Sequence, residues 1–143
     1  MTDYNLYIGG RAIRGASTME VINPATEEVI ALCPRANVAQ LEVAIAAAKA
    51  ALPAWEATTI EARRDRLLKI ADALQCRAEE IARLLTMEQG KPLAEARGEV
   101  GGAIYMIRAI ASLDLKPEIL KEDETGKVVE YRTALGVVAA ITP

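Results

Sequence analysis

The stretch Val137-Val138-Ala139-Ala140-Ile141 constrains this chain more than any other. Five consecutive apolar residues, three of them β-branched and preceded by Gly136, read as a strand covered on both faces, the pattern of parallel sheets. Such a strand needs neighbours in register and a crossover connection of a dozen or more residues, normally a helix. Residues 1–136 offer no other two-sided apolar strand to pair with it, and only Thr142-Pro143 follow. The expectation is that the sequence is the front of something longer, reaching as far as the first strand of a buried sheet.

What precedes it is of a different kind. Leu6-Tyr7-Ile8 and Arg11-Ala12-Ile13 flank Gly9-Gly10, a two-residue loop able to adopt the positive φ of a tight hairpin. Met19 to Ile22 and Val29 to Leu32 flank Asn23-Pro24-Ala25-Thr26, a turn that Asn begins and Pro presets. From Asn37 the period becomes helical. Val38, Leu41, Ile45, Ala48 and Leu52 mark one face, with Asn37 and Gln40 as a capping box and Pro53 as its end or kink. Thr58-Thr59-Ile60-Glu61 opens a second helix with the stripe Leu67, Ile70, Leu74. After a break near Gln75-Cys76 the pattern resumes as Ala78, Ile81, Leu85, and Gly90 and Pro92 stop it. A further helix carries Ala96, Val100, Ala103, Ile107 and Ile110. Its interior Gly98, Gly101 and Gly102 suggest a second backbone passing close by.

With 27 Ala and no Phe, the core must come from Ala, Leu, Ile and Val, which favours close-packed helices. The chain is of one-domain length at 143 residues. Beyond Leu115 it turns charged, through Lys116-Pro117-Glu118 and Lys121-Glu122-Asp123-Glu124. The strand pattern around Val128 to Thr133 is mixed on both faces, as in a strand exposed in the monomer or covered by a partner.

Absences narrow the function. Without His there is no Ser-His-Asp triad and no His-ligated zinc. Cys33 and Cys76 fit no CxxC spacing, which points to a reducing, cytoplasmic home. The N-terminus has no signal-peptide pattern and no apolar run is of membrane-spanning length. A net charge of −3 argues against a nucleic-acid or anionic-membrane partner.

Three stretches together carry a resemblance: Ile22-Asn23-Pro24-Ala25-Thr26, Glu88-Gln89-Gly90-Lys91-Pro92-Leu93-Ala94-Glu95-Ala96, and Leu135 through Pro143. In order and spacing the chain resembles the N-terminal part of an NAD(P)-dependent aldehyde dehydrogenase, and the second stretch is similar to semialdehyde-dehydrogenase-like members. The resemblance implies an α/β protein, α+β within these residues. Residues 1–116 would be the hairpins and helices of the coenzyme-binding domain. Residues 117–135 would be part of an oligomerisation hairpin, giving a homo-oligomer. Residues 136–143 would be the first strand of a Rossmann-like sheet, with Ile141, Thr142 and Pro143 where the nicotinamide side of NAD or NADP approaches.

In the family a cysteine thiolate attacks the aldehyde, hydride passes to NAD(P)+, and a glutamate activates water to release the carboxylate. An asparagine side chain helps hold the oxyanion; by resemblance it would come two residues past Pro143, and the nucleophile and base further on. No catalytic residue is therefore assigned, and the 143 residues alone are expected to be inactive. A cation, held by the Glu99 carboxylate and the backbone carbonyl of Ile22 near Val21, is a further implication. Cys33 and Cys76 read as small core or boundary residues and Trp55 as a plug between the first two helices. Arg63, Arg64 and Arg66, interleaved with Glu61 and Asp65, read as a solvated face or local ion pairs, with phosphate binding the remote alternative, and Lys91 as a cation at a helix C-terminus. The other reading is a stand-alone, non-catalytic α+β interaction module whose open strand 137–141 is completed by self-association.

Overall fold

A computed structural model describes residues 4–142. Mixed helix and strand follow one another as two hairpins, four helices and a third hairpin. In the first, β1 (Leu6–Ile8) pairs antiparallel with β2 (Arg11–Ile13), Leu6 opposite Ile13. Gly9 and Gly10 have φ of 58° and 75°, the paired positive values that match a hairpin's twist. In the second, β3 (Ser17–Ile22) pairs with β4 (Val29–Arg35), with a register shift at Val21/Ile22. The connection is longer than the expected four-residue turn. The Asn23 carbonyl accepts from Glu27 N–H at 2.8 Å, its Oδ1 accepts from Ala25 N–H at 2.9 Å, and its own N–H donates to the Glu28 carbonyl at 2.9 Å.

Helix α1 (Val38–Glu56) starts at the expected box: Asn37 Oδ1 accepts from Gln40 N–H at 2.9 Å and Gln40 Oε1 from Asn37 N–H at 3.2 Å. Pro53 does not end it. The ring falls in the last turn, where one missing N–H leaves the remaining ladder intact. The expected apolar face is also not the packed one. Val38, Leu41 and Ile45 are exposed, and no residue of α1 is buried. The side held to the body is that of Gln40, whose amide donates to the Arg14 carbonyl at 2.9 Å, and Ala47, which lies near Gly9.

Helices α2 (Ile60–Cys76), α3 (Ala78–Gln89) and α4 (Leu93–Ala111) form the core. The α2 cap is Thr59, accepting from Ala62 N–H, one residue later than the T-x-x-E spacing suggested; Thr58 instead donates to the Trp55 carbonyl. Arg77 makes the break between α2 and α3. Gly90 closes α3 at φ 75°, a left-handed position that suits Gly.

Ala71, Ala82, Ala96, Val100 and Ile104 meet at the centre, with Leu74, Ala78, Ile81, Leu85, Leu93 and Ile107 around them. The stripes are thus rotated from those expected: Ala71 rather than Ile70 is buried on α2, and Ile104 and Ala111 rather than Ala103 and Ile110 on α4. Alanines let the axes approach at 71, 82 and 96, and Val100 and Ile104 fill the centre between them. Gly98, Gly101 and Gly102 lie off that face, and a Cβ on any of them would have nothing within 4 Å; no backbone passes them among the described residues.

Two exposed ion-pair sets span the bundle. Arg97 forks onto Glu79 with both bonds at 2.8 Å, and Arg108 meets Asp72 at 2.9 Å. Finally β5 (Glu118–Asp123) pairs antiparallel with β6 (Gly126–Glu130) as an arm in which every β5 residue is exposed. No described helix is long and apolar enough to cross a membrane.

Candidate functional site

The candidate coenzyme edge is the segment after Gly136. It forms no strand in the structure, and Val138 and Ile141 are 69% and 96% exposed. The reason is the one that made the sequence pattern conspicuous. A ladder needs a partner, and the described strands pair only as three separate two-stranded antiparallel hairpins, none of them with this segment. Backbone groups of 137–142 therefore have no strand partner, and the apolar side chains have no covering layer. The segment carries no charged group. Thr142 carries the one side-chain hydroxyl there, and Pro143 lies outside the described residues.

The second candidate is the corner where β3 ends and α4 begins. Gly90 packs against the Pro24 ring, so the turn after Ile22 abuts the end of α3. Lys91, next in sequence, reaches Glu99 and pairs with its carboxylate. The structure thus brings the Ile22 turn, Lys91 and Glu99 to one corner through a chain of neighbours. The acid expected to hold a cation is engaged by a side-chain ammonium instead. Among the described residues no group of three or more His, Cys, Asp or Glu gathers to hold a metal. Lys91 acts across to α4 rather than on its own helix terminus.

At a third place the arm leaves the body. Trp55, Glu56, Arg63, Leu115, Arg132, Thr133 and Ala134 line a cleft of about 390 Å³. Trp55 is not a buried plug. It is 43% exposed, with the Arg66 guanidinium 5.3 Å from its ring centroid. Nor are the three arginines simply a solvated face. Arg63 donates to the Thr58 carbonyl at 3.0 Å, and Arg64 Nε donates to the Ala111 carbonyl at 2.6 Å. A signal for Arg64 was present in the sequence: it stands three and seven residues before Leu67 and Ala71, on the packed stripe itself. Cys33 is half-buried beside Ile30, Ala31 and Leu84, whereas Cys76 is exposed rather than a boundary residue; neither thiol is paired.

Comparison with known proteins identifies the class. The family model described as "Aldehyde dehydrogenase family" matches residues 12–143. A probable aldehyde dehydrogenase of Pseudomonas sp is 40% identical over 98% of this chain and 29% of its own length. The human mitochondrial methylmalonate-semialdehyde/malonate-semialdehyde dehydrogenase, described as acylating, is 36% identical over 96% of this chain and 27% of its own. Glutarate-semialdehyde dehydrogenase of Pseudomonas putida is 37% identical over 96% and 30%.

Among solved structures, an aldehyde dehydrogenase from Brucella melitensis superposes with a TM-score of 0.82 at 36% identity, over 89% of this chain and 27% of that one. A structure of PnpE in complex with nicotinamide adenine dinucleotide gives 0.79 at 30% identity, over 86% and 26%. This chain belongs to the aldehyde dehydrogenase family. It spans 27 to 30% of the length of these curated relatives.

Proposed function

We propose that these residues are the N-terminal part of an NAD(P)-dependent aldehyde dehydrogenase that oxidises a semialdehyde to its carboxylate. The observation that carries the proposal is the family match over residues 12–143, joined to relatives of semialdehyde specificity. On this reading, residues 1–116 scaffold the coenzyme domain. Residues 117–135 reach another subunit as an oligomerisation hairpin, and residues 136–143 enter a Rossmann-like sheet. Ile141, Thr142 and Pro143 then stand at the nicotinamide side of the coenzyme cleft, where ligands of open α/β sheets bind. Its exposed, unpaired and apolar character supports that role for 137–142.

When bound, NAD(P)+ would supply the hydride acceptor for aldehyde oxidation. The part of these residues is to form a dry apolar wall and position the sheet end. They contain no residue assigned as nucleophile or base, so they do not turn over aldehyde alone. The unpaired thiols support a reducing, cytoplasmic setting. A cation at Glu99 and the Ile22 carbonyl would share the carboxylate with Lys91, which pairs with one of its oxygens.

The test uses the full-length protein with an aldehyde bearing a distal carboxylate, and NAD+ or NADP+ in turn. Reduced nicotinamide should accumulate, faster than with an aldehyde of equal length lacking the carboxylate, and the product should be the dicarboxylate. No reduction with any aldehyde would sink the reading. Release of product only with an added thiol acceptor would replace the carboxylate by an acyl product, as the word acylating describes for the human relative.

A further inference from the structure

One side chain of another helix reaches the route from helix to arm. The last carbonyls of a helix have no partner within it, and a cation is favoured beside them. Arg64, on α2, supplies that cation to α4. Its Nε donates to the Ala111 carbonyl at 2.6 Å, and its Nη2 to the Leu113 carbonyl at 3.3 Å. Ala111 is buried at the end of the packed stripe, whereas Leu113 belongs to the segment that departs for β5. The fork therefore ties the fixed end of α4 to the first residues of the arm.

Beyond it the path is held locally. Lys116 pairs with Asp114 at 2.9 Å, and its N–H donates to Asp114 Oδ1 at 3.3 Å. Leu115 and the returning Arg132, Thr133 and Ala134 line one cleft with Trp55 and Arg63, so both legs of the arm gather at the α1–α2 corner. The arm itself is exposed along β5, and among the described residues β5 and β6 have only each other for a ladder.

We propose that Arg64 is the positioning residue of the arm: by clamping Ala111 and Leu113 it sets the angle at which β5 and β6 leave the helices, and with it the contact to a second copy of this chain. The inference rests on the reading of residues 117–135 as an oligomerisation element. A planar fork can hold two carbonyls that face it side by side; an ammonium is a point charge and holds one of them well.

The full chain carrying Arg64→Gln, Arg64→Lys or Ile119→Lys separates the two ideas by sedimentation velocity and amide hydrogen exchange. Ile119→Lys tests the arm as the contact and should dissociate the assembly with α2, α3 and α4 still protected. Arg64→Gln should weaken the assembly roughly ten- to a hundredfold, the effect of losing a charged hydrogen bond, and speed exchange in 112–130 alone. Arg64→Lys should fall between. If Ile119→Lys dissociates the assembly and Arg64→Gln does not, the clamp is wrong and the oligomer reading stands. If Ile119→Lys leaves the mass unchanged, the oligomer reading fails and the clamp's role in assembly fails with it. Loss of protection throughout α2 to α4 in both Arg64 variants would make Arg64 a folding residue and overturn the proposal.

Discussion

The α2–α3–α4 bundle and the rest of the chain use the same aliphatic residues to opposite effect. In the bundle, alanines at 71, 82 and 96 are fully buried and Ile104 nearly so. Outside it, Leu41 and Ile45 of α1, Ile119 and Leu120 of the arm, and Val138 and Ile141 of the tail are exposed. Scattered exposed apolar residues are ordinary, but Leu41 and Ile45 recur at helical spacing on α1 and 137–141 is an unbroken apolar run, patterns that suit a surface another layer covers. The difference teaches that periodicity announces a face to be buried and says nothing of what buries it. The bundle finds its partners within about fifty residues. The other faces lie in a chain that spans 27 to 30% of its relatives' length.

The largest expected effect would break this comparison outright if it failed. Ile104→Ala removes a buried side chain from the centre of the bundle and should cost about 2–5 kcal/mol. Leu41→Ala, on the exposed face of α1, should stay within about 0.5 kcal/mol. Urea denaturation of the two variants beside the parent chain decides it; equal losses would mean that α1 is packed as tightly as the bundle.

A smaller effect sharpens the boundary between the two regions. Gly90 closes α3 at φ 75°, and a Cβ there would lie 2.8 Å from Pro24 Cγ, part of a stiff ring. Gly90→Ala should cost about 1–3 kcal/mol, combining backbone strain with that clash. Adding Pro24→Ala should recover the clash and leave the strain, so the double variant should melt above Gly90→Ala. If Pro24→Ala gives no recovery, the β3–β4 turn does not press on the end of α3.

Much of this was legible in the residues because it is local chemistry. Gly9-Gly10, the Asn37–Gln40 box and the Gly90 stop depend on neighbours a few positions away, and each formed where expected. Three kinds of feature were not legible. Helix faces shifted by one residue, to the smaller side chain at Ala71 for Ile70 and to the larger at Ile104 for Ala103, because the neighbouring helices set how each helix is rotated. The glycines of α4 imply a close backbone only if they lie on the packed face, and they do not. Residues 137–141 have a strand's composition, but a strand is a property of two segments, and the second is missing among those described. At the candidate sites the sequence marked Glu99 as an acid to watch; that Lys91 engages it depends on the angle at which the chain turns from Gly90 into α4.

The smallest effect tests the comparison electrostatically. Glu79, in the bundle, is held at about 2 by its hydrogen bonds from Arg97 and the charges of Arg97 and Arg83, against an ordinary 4.5. Asp123, at the arm's tip, is also held at about 2, by Lys121 and Thr125. Both are depressed carboxylates, so what each contributes is present above its unfolded pKa and is lost as pH falls toward 2. The consequences should differ by region. Glu79→Gln should lower the melting temperature of the bundle slightly at pH 7, since exposed pairs contribute little, and the gap should close as pH drops from about 4.5 to 2 and narrow with added salt. Asp123→Asn should leave that melt unchanged at every pH, because the pairs it breaks lie within the turn of an arm that packs on itself. A pH-dependent shift of the bundle's melt in Asp123→Asn equal to that in Glu79→Gln would show that arm and bundle fold as one cooperative unit, and the two regions would have to be treated as one.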